Sequence, residues 1–244
     1  MRQTLKKLVP HPLLLAYREL RRRRLARDIA GKTPSEVFSL VYARRLWGMS
    51  GESKHPFCSG SGSSEPRVVD AYVAAVTDWL GGFPVPPSVG DLGCGDFRVG
   101  SRIRRSCGTY TAYDCVAALL ESNRRHWQGL DVRFELLDLC AASPAPADVF
   151  VIRQVLQHLS NDQIRRALEN VVRNCTWLVV AEHVPVGQFT PNLDKPIGPD
   201  VRLAANSGIV LTAPPFNLRP AEEKVLCRTP VGQGEIVTVA YLLT

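Results

Sequence analysis

The sequence predicts an α/β fold: a doubly wound, mostly parallel sheet with helices on both faces, ending in an antiparallel hairpin strand and preceded by an N-terminal helical extension. Three observations predict it. Short apolar runs alternate with helix-length segments through the middle of the chain, as in βαβ crossovers. The first run ends in an acidic residue and a glycine turn. The last two runs are joined by a turn too short to hold a helix, which predicts an antiparallel pair.

Residues 1–31 form a basic N-terminal segment. They carry nine basic and two acidic side chains, and their net charge of +7 equals that of the whole chain. The rest of the chain has equal numbers of basic and acidic residues. The segment is interpreted either as a solvated basic helix or as a peripheral contact with an anionic membrane surface or a partner.

Residues 32–64 are predicted to form a helix and a Gly/Ser-rich loop that cap the site. The helix covers Thr33–Trp47, because Thr33 can act as its N-cap and Pro34 suits its first turn. The loop covers Gly48–Ser64, which is too polar and too rich in glycine for the interior of an element.

Residues 65–244 are predicted to form the main domain. It opens with a helix over Glu65–Leu80, which follows a serine cap and ends at Gly81-Gly82. The apolar runs then predict strands at Ser88–Leu92, Tyr110–Asp114, Val132–Leu137, Asp148–Arg153 and Trp177–Glu182. Helices are predicted near 97–106, 116–127 and 160–173, the last with a capping box of Ser160 and Gln163.

The end of the main domain departs from this alternation. Residues 184–218 are rich in proline and lack periodicity, so they are predicted to form a substrate loop or lid. Lys224–Arg228 and Ile236–Leu243 are predicted to pair as an antiparallel hairpin around a turn at Gly232 to Gly234.

The seven cysteines include no C-x-x-C pair, so neither a disulfide framework nor a metal site is expected. No apolar run approaches the roughly 20 residues of a membrane-spanning helix. The expected location is therefore the cytoplasm, with peripheral membrane contact through residues 1–31 as an alternative.

The glycine turn at residues 91–96, Asp-Leu-Gly-Cys-Gly-Asp, carries the strongest chemical signal. Glycines at the end of a strand let a ligand approach the backbone, and the following helix start offers N–H groups. A dinucleotide site would need a third glycine where Arg98 stands, which argues against NAD. Asp114, which ends the next strand, is placed where such folds bind a ribose diol.

Four motifs in this order resemble class I, Rossmann-like, S-adenosylmethionine-dependent methyltransferases. They are DLGCGD at 91–96, the acid at Asp114, LLDL at 136–139 and ADVFVIRQVLQHLS at 147–160. The resemblance covers about residues 88–182. The flanking Leu46-Trp47-Gly48 and the SGSGS stretch at 59–63 are similar to a little-characterised bacterial branch of the family.

The resemblance implies S-adenosylmethionine as the cofactor and a role for each matching residue. Gly93 and Gly95 would contact the amino-acid portion, with Cys94 as a small residue in the turn and Asp91 beneath it. Asp114 would bind the ribose hydroxyls. The remaining implied contacts are Asp138 and Leu139 at the adenine, and Gln154 on the cofactor side of the fourth strand. Many relatives have a further glycine where this chain has Phe97.

The predicted function is methyl transfer to a small-molecule acceptor, at a hydroxyl or carboxylate oxygen of a saccharide or secondary metabolite. A hydroxyl acceptor needs a general base, and His158 beyond the fourth strand is the candidate; the alternative is a structural histidine. His183 is the competing histidine. Tyr42, Trp47 and Asn206 are candidate substrate contacts, although aromatic residues at helical spacing also pack in cores.

Two other functions stay open. The chain could be an RNA or protein methyltransferase that docks its substrate through residues 1–31. The absence of an N/D-P-P-[FYW] motif after the fourth strand argues against methylation of a base amine. It could also be a binding protein that keeps the cofactor fold without turnover, because fold alone does not establish activity.

Overall fold

The computed structural model describes residues 11–48, 56–60 and 64–243. The first ten residues of the basic segment and much of the Gly/Ser-rich loop lie outside the described residues. The helices are α1 (His11–Ile29), α2 (Pro34–Ala43), α3 (Pro66–Gly81), α4 (Gly100–Ile103), α5 (Ala117–His126) and α6 (Asn161–Val171). The strands are β1 (Val89–Leu92), β2 (Tyr110–Asp114), β3 (Arg133–Leu136), β4 (Ala147–Arg153), β5 (Cys175–Pro185), β6 (Glu222–Val231) and β7 (Gly234–Leu242).

The seven strands form one sheet in the order β3-β2-β1-β4-β5-β7-β6. Strands β1 to β5 pair in parallel, whereas β7 is antiparallel to both of its neighbours. The predicted doubly wound sheet with a terminal hairpin is therefore confirmed. Parallel order places the carboxyl ends of β1, β2 and β4 at one edge, where ligands bind in folds of this kind.

The strands lie where the apolar runs predict them, with small differences at their ends. Strand β5 continues three residues past the predicted Glu182, because its pairing with β7 extends to Pro185 opposite Gly234. The predicted helix at 97–106 is shorter. It consists of the single turn α4 followed by a 3₁₀ turn at Arg104–Ser106.

Two of the predicted helix starts carry the expected caps, and one does not. Thr33 and Ser160 each form a capping box, with Glu36 and Gln163 respectively. The predicted serine cap of α3 is wrong. The N-cap residue is Glu65 and makes no side-chain cap, while the Ser64 hydroxyl donates to the carbonyl of Gly60 at 3.1 Å.

The described arginines near the middle of helix α1, Arg21 to Arg24, are exposed to solvent. Ile29 at the end of α1 is buried in the core, and Asp28 forms an ion pair of 2.5 Å with Arg44. Within the described ranges, no helix is long and apolar enough to cross a membrane.

The core has two parts, one on each face of the sheet. Helices α2 and α6 contribute Val37, Val41, Ile164 and Val171 to the first face. Helix α3 contributes most of the helical side chains on the second. Helix α2 packs on this first face, close to the carboxyl edge of the parallel strands.

Candidate active site

A cavity at the carboxyl ends of β1, β2 and β4, called here the main cavity, contains most of the predicted cofactor residues. Its lining includes Gly93, Gly95, Asp114, Asp138, Leu139 and Gln154, together with Phe38, Tyr42, Trp47, Ser59, Cys115, Cys140, Arg153, Val155 and His158. A smaller cavity beneath the glycine turn, called here the turn cavity, is lined by Tyr72, Asp91, Cys94, Asp96 and Arg153 among others. Local motifs that lie between residues 91 and 160 of the chain thus meet at one site.

The glycine turn between β1 and α4 is held by the neighbouring strand β2. The amides of Gly93 and Cys94 both donate to the carbonyl of Tyr113 at 2.9 Å. Gly93 and Gly95 have φ angles of 83° and 56°. A Cβ atom on Gly93 would lie 2.5 Å from Val155, and one on Gly95 would lie 2.3 Å from the Ser59 hydroxyl. Both positions therefore require glycine for conformation and for space.

Phe97 stands where the resemblance to the family implies a further glycine, and its backbone adopts a conformation that favours glycine. Its φ is 59° and its side chain is fully buried. The ring packs edge-on against Tyr110, Trp127 and Phe134, with centroids 5.0 to 5.9 Å away. A residue in the left-handed region interrupts a right-handed helix, which explains why α4 begins only at Gly100.

Two buried carboxyl groups flank the glycine turn. Asp91 accepts from the Tyr110 hydroxyl at 3.0 Å, and burial raises the pKa of Asp91 to about 7. Asp114 accepts from the amides of Gly95 and Val116 at 3.1 Å each. Burial raises the pKa of Asp114 to about 6, against the effect of these N–H donors. The assignment of Asp114 to the ribose stays a prediction, consistent with its place in the main cavity.

The adenine side of the main cavity lies after β3. The Asp138 carboxylate accepts from the amide of Cys140 at 2.9 Å, which fixes the turn that carries Leu139. Leu139 itself is buried and holds α6 through a hydrogen bond from Asn170 to its carbonyl. The predicted adenine contacts are thus on a rigid turn, and their role stays a prediction.

Sequence reasoning missed Arg153, the last residue of β4. Its side chain lines both cavities and lies over the Tyr72 ring, with its central carbon 5.2 Å from the ring centroid. A charged residue that directly follows the apolar, buried run 149–152 is the signal that could have found it. Gln154, the next residue, has a φ of 56° and turns the chain out of the sheet.

Helix α2 and the turn after it cover the main cavity with aromatic side chains. Tyr42 and Trp47, both predicted substrate contacts, line it and pack edge-on against each other at 5.2 Å. Phe38 stacks on Trp47 at 5.8 Å. The Ser59 hydroxyl accepts from the amide of Asp96 at 2.9 Å and so ties this cover to the glycine turn.

His158 lies beneath the aromatic cover, and aromatic rings pack against its imidazole. Its ring is 5.0 Å from that of Trp47 and 6.5 Å from that of Phe38. Burial, assisted by the charge of Lys195, lowers the pKa of His158 to about 4. The imidazole is therefore neutral at neutral pH and a weak base. Its predicted role as general base remains a hypothesis beside the structural one.

The two other predicted substrate contacts, His183 and Asn206, lie outside the described lining of the main cavity. His183 faces the hairpin on the second face of the sheet, where its Nε2 lies 3.2 Å from the carbonyl of Val231. Asn206 is exposed, and its side chain donates to the carbonyl of Gln188 at 3.3 Å. Among the described residues, neither lines the site that holds Tyr42 and Trp47.

The insertion at 184–218 is fastened to the loop that follows β4. Arg202 is buried and donates to the carbonyls of Leu193, Gln157 and Leu159 at 2.8 to 3.1 Å. Glu182 accepts from the amides of the same loop, at Val155, Leu156 and Gln157. The insertion thus packs as a fixed wall beside the site.

Comparisons with known proteins agree with this geometry. Residues 89–176 match a family model described as a methyltransferase domain. A search with the sequence finds no match among curated proteins. Many solved structures are similar in fold, and three of them illustrate the likeness. NodS, an N-methyltransferase from Bradyrhizobium japonicum WM9 in complex with S-adenosyl-L-homocysteine, has a TM-score of 0.59 at 15% identity, covering 85% of this chain and 97% of that one.

The two other structures are equally distant in sequence. An S-adenosylmethionine-dependent methyltransferase from Leishmania major has a TM-score of 0.52 at 16% identity, covering 71% of this chain and 72% of that one. The glycopeptide N-methyltransferase MtfA has a TM-score of 0.51 at 14% identity, covering 74% and 92%. Because the sequence identities are this low, the similarity to these three structures shows a common fold and no more.

Proposed function

We propose that this chain, which carries a class I, S-adenosylmethionine-dependent methyltransferase domain, transfers the methyl group to a small-molecule acceptor at a hydroxyl or carboxylate oxygen. The match of residues 89–176 to a methyltransferase domain and the shared fold support the predicted enzyme class and its cofactor. The acceptor is our proposal. The observation that carries it is the main cavity, where the glycine turn and Asp114 lie beneath a cover made by the chain itself.

The cover favours a small acceptor. Phe38, Tyr42 and Trp47 stand over the cavity, and Ser59 links the cover to the glycine turn. An acceptor has to fit between these aromatic rings and the cofactor. Methyl transfer from a sulfonium is an in-line displacement, so this enclosure would act by aligning the acceptor oxygen and excluding water.

The acceptor oxygen decides whether a base is needed. A carboxylate is already a nucleophile, whereas a hydroxyl has to lose its proton during the transfer. His158 is the proposed base for a hydroxyl, acting from its neutral form. Because its lowered pKa makes it a weak base, the carboxylate is the less demanding acceptor. Saccharides and secondary metabolites that carry carboxylates are therefore the first compounds to screen.

The first test is cofactor binding by calorimetry. We expect S-adenosylmethionine and S-adenosylhomocysteine to bind with micromolar affinity and NAD not to bind. Replacing Asp114 by alanine should remove a charge-assisted ribose contact of about 1.5–3 kcal/mol, about a 10- to 150-fold loss of affinity. Asp148→Ala is the matched control, because Asp148 accepts from the Ser88 amide and hydroxyl at the opposite end of the sheet.

A folded wild-type protein that binds neither methyl donor nor its product would contradict the function. Positive binding leads to screening with a labelled methyl group against hydroxyl, carboxylate and amine acceptors. Amines belong in the screen because NodS and MtfA are described as N-methyltransferases. Labelling of amines alone would overturn the oxygen acceptor and leave the small-molecule methyltransferase standing.

The alternative, an RNA or protein substrate docked on the basic segment, is tested on α1. We expect the fourfold variant R21Q/R22Q/R23Q/R24Q to keep its kcat/KM on a small acceptor within about twofold, because these exposed side chains lie outside the lining of the main cavity. The matched control replaces four exposed arginines of the main domain, R67Q/R105Q/R133Q/R173Q. A loss specific to the α1 variant and confined to RNA or protein substrates, at low salt, would favour the alternative.

A further inference from the structure

We propose that Arg153 binds the α-carboxylate of the methyl donor and so selects ligands that keep this group. The proposal rests on the proposed function and deepens it, because it assigns a recognition role to a residue of the 147–160 motif for which the resemblance implied none. It begins from the charge of the ligand. The amino-acid portion of S-adenosylmethionine carries a carboxylate, and burial of an anion is costly unless a cation or several N–H donors meet it.

The charged side chains around the two cavities are otherwise acidic. Asp114 and Asp138 line the main cavity, and Asp91 and Asp96 line the turn cavity. Among the described residues that line either one, Arg153 is the single lysine or arginine. An anionic group that enters this acidic surrounding therefore has one side-chain cation to meet.

Arg153 is also in the right place. It shares the lining of both cavities with Gly93 and Gly95, the turn where the resemblance to the family places the amino-acid portion. Its Nε and Nη2 atoms are buried, in a region where a charge-assisted hydrogen bond is strong. A guanidinium presents two parallel N–H groups that match a carboxylate.

The surroundings hold the guanidinium in position. The Tyr72 ring lies against it at 5.2 Å, and the charges of Asp91, Asp96 and Glu182 stabilise its charged form. Burial lowers the pKa of Arg153, yet a guanidinium stays protonated in proteins. Arg153 thus offers a fixed positive charge at the edge of the glycine turn.

The test compares two ligands that differ only in the carboxylate: S-adenosylhomocysteine and its decarboxylated analogue. Calorimetry should show that the wild-type protein binds S-adenosylhomocysteine at least about tenfold more tightly. Arg153→Met should weaken S-adenosylhomocysteine about 10- to 150-fold and change the affinity of the analogue less than threefold. Asp114→Ala is the matched control, expected to weaken both ligands by the same factor.

The possible results distinguish a failure of the role of Arg153 from a failure of the proposed methyltransferase function. Equal wild-type affinity for the two ligands would overturn the role of Arg153 while leaving the methyltransferase intact. Binding of neither ligand would overturn the proposed function itself. If Arg153→Met weakens both ligands alike, Arg153 only supports the fold of the site. If that variant fails to fold, the wild-type comparison and Arg153→Lys decide, since lysine should keep the preference for the carboxylate but reduce it.

Discussion

Replacing Phe97 by alanine is expected to lower the free energy of unfolding by about 3–5 kcal/mol. Phe97 is among the largest fully buried side chains. Three aromatic rings surround it, and a Cβ on Gly100 would already lie 2.3 Å from its ring, so the space is filled on every side. Truncation would leave a cavity directly under the glycine turn.

The glycine substitution at the same position gives the sharper comparison. Because φ is 59°, alanine keeps the backbone strain of Phe97, whereas glycine releases it. Phe97→Gly should therefore be about 1 kcal/mol more stable than Phe97→Ala, although glycine is normally the less stable of the two. Urea unfolding followed by circular dichroism measures the difference.

Phe83 provides the matched control. Its ring packs edge-on against Trp79, and its backbone φ angle is not positive. At Phe83 the alanine variant should be the more stable one. If alanine is also the more stable at position 97, the left-handed backbone there is contradicted.

Replacing Arg202 by methionine is the second large effect, expected to cost about 3–5 kcal/mol because several buried carbonyls lose a charged donor at once. The guanidinium also donates to the Asn161 side chain at 3.0 Å, in addition to the loop carbonyls. Removal would leave the carbonyls of Gln157 and Leu159 without this donor and Glu182 without a nearby positive charge. Methionine keeps much of the apolar stem, so the loss measures the polar contacts.

The same change should loosen the insertion at 184–218 before the sheet unfolds. Limited proteolysis of Arg202→Met is expected to cleave within this insertion, at a rate well above that of the wild-type protein. Arg219→Met is the control. Arg219 lies in the sequence just after the insertion, is exposed and makes one long bond of 3.5 Å, so its loss should cost less than about 0.5 kcal/mol. Equal stability of the two variants would show that Arg202 does not fasten the insertion.

Much of the fold could be predicted because its signals are local. A strand of alternating or continuous apolar residues, a capping box at Ser160 and a turn at Gly232 each depend on residues within a few positions of one another. The same holds for the glycine turn, since the φ angles of Gly93 and Gly95 are a property of those residues. In the folded chain, most of the side chains predicted to bind the cofactor line one cavity.

The substrate side could not be predicted as well, because its contacts are long-range. Tyr42 and Trp47 lie over the site only because α2 packs on the first face of the sheet. His183 lies away from the main cavity, because alternate residues of β5 face opposite sides of the sheet. Asn206 also lies away from it, on an exposed turn of the insertion.

The sequence by itself determined the order of helices and strands, the parallel sheet with its terminal hairpin and the glycine turn, because these follow from periodicity and backbone freedom over short distances. Only the tertiary structure decided the neighbours of Phe97, the burial of His158, the position of Arg153 between two cavities and the attachment of Arg202 to a loop about 45 residues earlier. The reason is physical. Burial, and with it the pKa and strength of each polar contact, depends on elements that meet only when the chain is packed.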